Sequence, residues 1–489
     1  MNLSKYRYLN MTVWNPIVRR WSAEAGYKQV LILAIPLILS TAAWSLQHFI
    51  DRMFLAWYST EAIAAAMPAG LLNFTFMSLF TGTASYVSTF VAQYHGAGQH
   101  KMFGRILWQG IYIAIIGGIF HFGLIPLADS FFRIVGHQEL VREYETIYFK
   151  YLCLGAFPAI AASALAGFYS GRGHTLPIMW INIIATLVNL TFDYILIFGH
   201  LGFPEMGMKG AAIATVLSAI ASFLCYVVLI FRPKYNRSSG TLSDWRFNRK
   251  LFMRLIYFGF PNGIQFFLDI AGFTIFLLML GRLGTIQMAA TNVAFNINNL
   301  AFMPMTGFSV AVAVLVGQSL GKNRPDLARR STYSCFHITL LYMCLTIAAF
   351  LLIPEIFIKP FIYRADPITY AEIKSTVMIL LRFVALYTFF DTFNIIFSGA
   401  IKGAGDTRFV MYMLLVLSLG VLVIPSYIVI IILHKNLLAA WTCATIYIGV
   451  LGLAFFLRFL GGKWQTMRVI ETPAPRLPSS FPEVPTPDL

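Results

Sequence analysis

The sequence predicts an all-α polytopic membrane protein with twelve transmembrane helices in two pseudo-symmetric six-helix lobes. Three observations carry this prediction: apolar runs of spanning length, basic residues in every second connection, and an internal repeat. The chain is 58% hydrophobic with a mean hydropathy of +0.72, and only 11% of its 489 residues are Asp, Glu, Lys or Arg. Its apolar residues gather in runs of about twenty, the length a helix needs to cross a hydrocarbon core of about 30 Å. Lipid offers backbone N–H and C=O groups no partners, so only helices or closed barrels span it. These runs are too long and too uniformly apolar for barrel strands.

Residues 1–28 hold Lys5, Arg7, Arg19 and Arg20 but no apolar run, so they read as a cytoplasmic segment rather than a cleavable signal. An N-terminal lobe, 29–231, follows with spans near 29–54, 63–90, 105–128, 146–168, 176–198 and 210–231. A basic cytoplasmic linker, 232–253, leads to a C-terminal lobe, 254–460, with spans near 254–280, 288–316, 330–353, 376–401, 408–433 and 438–460. The remainder, 461–489, is Pro-rich and is expected to be a disordered cytoplasmic tail.

The net charge of +16 invites a nucleic-acid reading, but its distribution argues against one. Basic residues lie before the first span, at Lys101 and Arg105, at Arg172, from Arg232 to Arg254, at Lys322 to Arg330, at Lys402 and Arg408, and at Arg458 to Arg468. Those are the two ends and every second loop, as expected if both termini face the cytoplasm and the number of spans is even. The charge therefore answers to a lipid bilayer, and no nucleic-acid partner is expected. Five cysteines, Cys153, Cys225, Cys335, Cys344 and Cys443, fall in or beside apolar runs without ligand-like spacing, and read as small buried residues.

The repeat is visible in particular residues. At an offset of 225, Pro36 meets Pro261, Gln93 meets Gln318, Gly96 meets Gly321 and Arg105 meets Arg330. At an offset of 232, Gly171, Gly173 and Thr175 meet Gly403, Gly405 and Thr407. Parallel repeats of this kind are related by an axis along the membrane normal and suit alternating access around a central cavity. The Gly-rich GRGHT and KGAGDT stretches lack the strand-loop-helix context of a phosphate loop and read as tight turns.

Acidic residues inside spans sharpen the functional reading, because a charge at mid-bilayer costs about 2.5–3.5 kcal/mol even on insertion scales. Asp51 and Asp193 fall in the outer half of their helices, Asn189 lies one turn from Asp193, and Thr215 of the sixth span reaches the same layer. Two carboxylates, an amide and a hydroxyl suit a hard monovalent cation or a shared proton, so Asp51, Asn189, Asp193 and Thr215 are candidate Na+ ligands. Asp269 and Asp391 lie near the midplane of the second half and have no acidic counterparts under the repeat. Together these six residues form the candidate cation or proton coupling set. Gln47, Gln265, Asn292, Tyr387 and Phe390 are assigned to the wall of a substrate cavity. Hydrogen bonding between helices is the plainer role for the amides.

The segments AIPLILS through FIDRMFLAW, AQYHGAG, RGHTLP, LVNLTFDYILIFGHLGFPEMGMKGAAIAT, YFGFPNGIQFFLDIAGF, VGQSLGK and FFDTFNIIFSGAIKGAGDT resemble the multidrug and toxic compound extrusion family, in its NorM-like bacterial branch. The resemblance implies a cation-driven antiporter of organic, mainly cationic compounds in the bacterial inner membrane. It places an N-lobe ion site on Asp51, Asn189, Asp193 and Thr215, and C-lobe coupling on Asp269 and Asp391, where that branch often has Glu in the position of Asp269.

The expected function is therefore secondary active multidrug efflux by Na+ or H+ antiport, with no cofactor beyond the coupling ion. The partners would be small organic cations, and the protein would act as a monomer. The alternative is a flippase for a lipid or lipid-linked sugar precursor. A channel lacks a filter-like motif here, and catalysis lacks a nucleophile, base and orienting group at interpretable spacing.

Overall fold

A computed structural model describes residues 20–135, 137–362 and 367–471, and among these residues it contains helices and no strands. In the first half α1 is Tyr27–Tyr58, α2 Thr60–Ser85, α3 Val87–Gly96, α4 Met102–Leu124, α5 Ala128–Val135, α6 Glu139–Leu154, α7 Ala156–Gly171, α8 Leu176–Phe198 and α9 Gly207–Ile230. A short α10, Pro233–Ser239, leads to the second half: α11 Arg249–Leu280, α12 Thr285–Gly321, α13 Pro325–Leu352, α14 Pro354–Ile362, α15 Pro367–Ala404, α16 Thr407–Leu417, α17 Ile424–Tyr427 and α18 Leu437–Leu460.

Eleven of these stretches are long and apolar enough to cross a membrane, and the pair α6 and α7, bent by 46°, makes a twelfth. The bend falls at Gly155, which ends α6. The predicted fourth span, 146–168, lies across this break, and α6 starts earlier because its polar first turns from Glu139 are helical as well. Helix ends follow local chemistry. Ser59 caps α2 by accepting from Ala62 N, and Asn248 and Asn436 cap α11 and α18 through Leu251 N and Ala439 N. Gly199 closes α8 at φ +72°, the left-handed region a glycine enters freely.

The linker keeps its place between the lobes, and one further expectation, the free tail, changes. The linker is built in: Trp108 Nε1 donates to Thr241 O at 2.8 Å and Arg105 pairs with Asp244 at 3.3 Å, tying it to α4. The tail is not free from residue 461. Residues 461–471 are folded, with Trp464 and Val469 fully buried, because the apolar side chains here find a groove at the ends of the helices. The Pro-rich stretch from 472 lies outside the described residues.

Burial divides the molecule into three clusters. One is shared by both halves at the face that carries Arg20 and residue 471, drawing on Leu33, Phe90, Phe168, Phe308, Val316 and Ile401. At the opposite face each half has its own: Leu55, Phe132, Phe149 and Ala212 in the first, and Phe276, Leu380, Tyr387 and Trp441 in the second. Two lobes joined at one end and separate at the other enclose a cleft that opens on the face away from the termini.

The joined end uses the repeat. Gln93 Nε2 donates to Gly403 O at 3.1 Å, and its counterpart Gln318 donates to Gly171 O at 2.8 Å, so equivalent glutamines reach equivalent turns across the lobe boundary. A Cβ on Gly96 would collide with the Gln318 carbonyl, and one on Gly321 with that of Gln93. The bare glycines let α3 and α12 cross backbone to backbone. Further up the cleft, Asn262 Nδ2 donates to Gly82 O at 2.7 Å and Thr41 Oγ1 to Met303 O at 3.4 Å. Among the described residues no inter-lobe hydrogen bond lies farther from the termini than these.

Candidate functional site

The first-half cluster is set by three helices. Asp51 lies seven residues before the end of α1, and Asp193 five residues before the end of α8, so both sit at one level beyond the joined end of the cleft. Asp51, Asn189, Asp193 and Gln47 are all buried. With its amide turned to suit its neighbours, Asn189 donates to Asp51 Oδ1 at 2.7 Å and to Asp193 Oδ2 at 3.3 Å. The two carboxyls are themselves in hydrogen-bonding contact. Carboxyls that meet must share a proton or a cation between them. Asp193 Oδ1 is buried with no hydrogen-bond partner.

Thr215 joins indirectly. Its hydroxyl donates to Ala211 O at 3.1 Å and lies close to the hydroxyl of Tyr148, which is in electrostatic contact with both Asp51 and Asp193. Tyr148 went unnoticed in the sequence, where it is one of 23 tyrosines on a helix whose nearby charges suggest a loop edge. Gln47, expected at the substrate cavity, instead lies 3.3 Å from Asn189 within the buried cluster. Lys209, the basic residue near this level on α9, makes no ion pair with either carboxyl and stacks over the Tyr151 ring at 5.5 Å.

The second-half pair spans the cleft side of α11 and α15. Asp391 is buried and its Oδ1 accepts from Asn394 Nδ2 at 2.8 Å. Asp269 is solvent-accessible, with Gln265 one turn away on the same face. The two carboxylates feel one another, and Tyr447 of α18 lies within electrostatic reach of both. Lys402, counted in the sequence as a loop cation, is half-buried in the last turn of α15 and in reach of Asp269. No spacing rule would have linked it to a residue over a hundred positions earlier.

The expected substrate wall divides. Asn292 is exposed on α12, and with Asn296, Asn299 and Met303 it forms the helical face that continues upward from Gly307, where α12 meets Ile38 of α1. That face looks across the cleft. On the other side Trp44 stacks edge-on with His48 at 4.4 Å and lies 6.1 Å from Phe74, which meets Phe266 of the second half at 5.7 Å. Tyr387 is a correction, buried in the second lobe's core against Trp441, whereas Phe390 is partly exposed, with its backbone packed on Gly452 of α18. One helical turn around α15 separates a cleft residue from a core residue, and their sequence positions did not reveal which was which.

Two helical lobes about a one-sided cleft, each with carboxylates set into its spans, define a two-lobed membrane transporter. The MatE family profile matches residues 36–195 and 261–428, and the chain belongs to that family. This bears out the resemblance to multidrug and toxic compound extrusion proteins. Among its relatives, the multidrug resistance protein PmpM of Pseudomonas aeruginosa is 30% identical over 403 residues, covering 82% of this chain and 83% of that one. A probable multidrug resistance protein NorM of Thermotoga maritima is 26% identical over 450 residues, 91% of this chain and 94% of that one. A solved MOP-superfamily transporter from Pyrococcus furiosus aligns with a TM-score of 0.81 at 20% identity, over 90% of this chain and 96% of that one, and shows the same fold.

Proposed function

We propose that this protein exports small organic cations across the bacterial inner membrane in exchange for inward Na+ or H+, with both termini in the cytoplasm and one chain forming the whole pathway. The observation that carries this reading is the buried contact of Asp51 with Asp193 around Asn189, beside an open acceptor on Asp193. A monovalent cation or proton entering from the open face would neutralise this cluster, and neutralisation alters which helix positions are favourable. Na+ would take oxygens of Asp51, Asn189, Asp193 and Thr215 as ligands, whereas a proton would need only the two carboxyls.

In the open cleft, Asp269 and Asp391 supply negative charge for an organic cation, and the Trp44, Phe74 and Phe266 rings supply apolar area and π faces. Ion loading and drug release occur from the far face, and the cleft then reopens on the termini face to reload. One inward monovalent charge crossing 100 mV supplies about 2.3 kcal/mol to this cycle. A lipid-linked sugar precursor would ask for a basic cleft to hold its pyrophosphate. The four aspartates set into these spans, two of them beside the cleft, favour cations.

The test is accumulation of an ethidium-like dye in inverted vesicles, with Na+ and pH gradients imposed separately, for the wild type, Asp51→Asn and Asp391→Asn. Gradient-driven accumulation that either substitution abolishes is expected, and the effective gradient names the ion. Folded protein that moves no dye under either gradient would overturn the reading in favour of the flippase. A detergent-corrected mass of one chain is expected for the monomer.

A further inference from the structure

The joined face is symmetric in plan but not in execution. Gln93 and Gln318 make matching bonds to Gly403 and Gly171. Gln93 does more: its Nε2 also reaches Ala404 O at 3.4 Å, and its Oε1 accepts the backbone N–H of Val469 at 2.8 Å. No equivalent bond to Gln318 Oε1 exists among the described residues. Val469 belongs to the segment after the last span, which the sequence alone marked as free tail.

That segment is anchored along its length. Trp464 is fully buried, stacked on Phe459 at 4.8 Å between centroids, and its Nε1 donates to Phe459 O at 2.7 Å. Arg254 of α11 donates from Nη2 to Ile470 O at 2.8 Å and from Nε to Val469 O. Val469 and Ile470 are buried, and a Cβ on Gly405 would stand 2.9 Å from Val469 Cγ1. Residues 469 and 470 are therefore gripped by their carbonyls from the second lobe, while the Val469 N–H is bonded to the first.

We infer that residues 463–471 form a strap that holds the termini face of the transporter closed, with Gln93 as its catch on the first lobe. The inference rests on the alternating-access reading above and adds a regulatory element to it. Opening this face separates Gln93 from the turn at Gly403, so it must also break the Val469 N–H bond and strip cover from Val469 and Ile470. The strap thus weights the equilibrium toward the state open on the far face, and whatever displaces it releases the other state. Because the Gln318 side carries no such addition, the two halves of the latch differ in strength although they descend from one repeat.

Hydrogen exchange on the purified full-length protein in lipid nanodiscs tests this without substrate or gradient, so its outcome is independent of what is transported. The variants are a chain ending at 466, the single change Arg254→Ala, and a control chain ending at 471. Residues 171–175 and 318–324 are the informative segments, because they form the second half of the latch and do not touch the strap. Loss of one or two net hydrogen bonds predicts about tenfold faster exchange there in the first two variants, with the control unchanged. Faster exchange confined to 93–99 and 403–406 would reduce the strap to local packing and overturn the inference, as would no change anywhere. Should the chain ending at 466 run as aggregate on gel filtration, Arg254→Ala decides by the same two outcomes.

Discussion

At the scale of single residues, the chemistry concentrates where a carboxyl lacks an ordinary counter-ion. Asp51 and Asp193 touch each other and Asn189, and none of the described ion pairs includes them. Asp193→Asn keeps the shape and removes one ionisable oxygen, so gradient-driven dye accumulation should fall at least about tenfold, the equivalent of ~1.4 kcal/mol. Wild-type accumulation by this variant would take Asp193 out of coupling. Tyr148→Phe keeps the ring and loses the hydroxyl that lies beside Thr215 and within electrostatic reach of Asp51 and Asp193. The coupling-ion concentration for half-maximal transport should rise about fivefold, the worth of ~1 kcal/mol for one polar contact, with the melting temperature nearly unchanged. Asp51, Asn189 and Asp193 could be read from the sequence because a polar group in an apolar run stands out. Tyr148 could not, since a tyrosine at a span edge is ordinary.

At the scale of elements, close crossings and short segments decide how the lobes meet. α3 and α12 approach at Gly96 and Gly321, where any side chain meets a carbonyl of the other helix. Gly96→Val should wedge that face apart, and spin-label distances between the lobes on the termini side should lengthen relative to wild type. An unchanged distance would mean that the crossing tolerates bulk by shifting elsewhere. Trp464 fills the groove beside Phe459, and Trp464→Ala should cost about 3–5 kcal/mol, read as a lower melting temperature in detergent. The sequence shows why the helices stop, through Ser59, Asn248 and Asn436 as caps. It does not show that α6 and α7 are one span broken at Gly155, because hydropathy averages over a bend.

At the scale of the whole molecule, one core shared by both lobes and two cores of their own make a body that closes at one end and opens at the other. Arg20 and residue 471 at one face, together with the basic connections, predict that a C-terminal fluorescent-protein fusion will glow in the cytoplasm and that an alkaline phosphatase fusion will be inactive; an active phosphatase would reverse the assignment of sides. The sequence by itself determined the helical class, the two halves and the first lobe's carboxylates. Each of these follows from local rules: the length of apolar runs, the placement of basic loops, residue identity at a fixed offset, and the cost of burying charge. Only the tertiary structure decided that Gln47 joins the carboxylates, that Tyr387 is buried in the second lobe's core, that Lys402 reaches Asp269, and that the segment after the last span ties the lobes together. Those outcomes depend on how helices rotate and lean against partners hundreds of residues away, and no local pattern encodes a rotation.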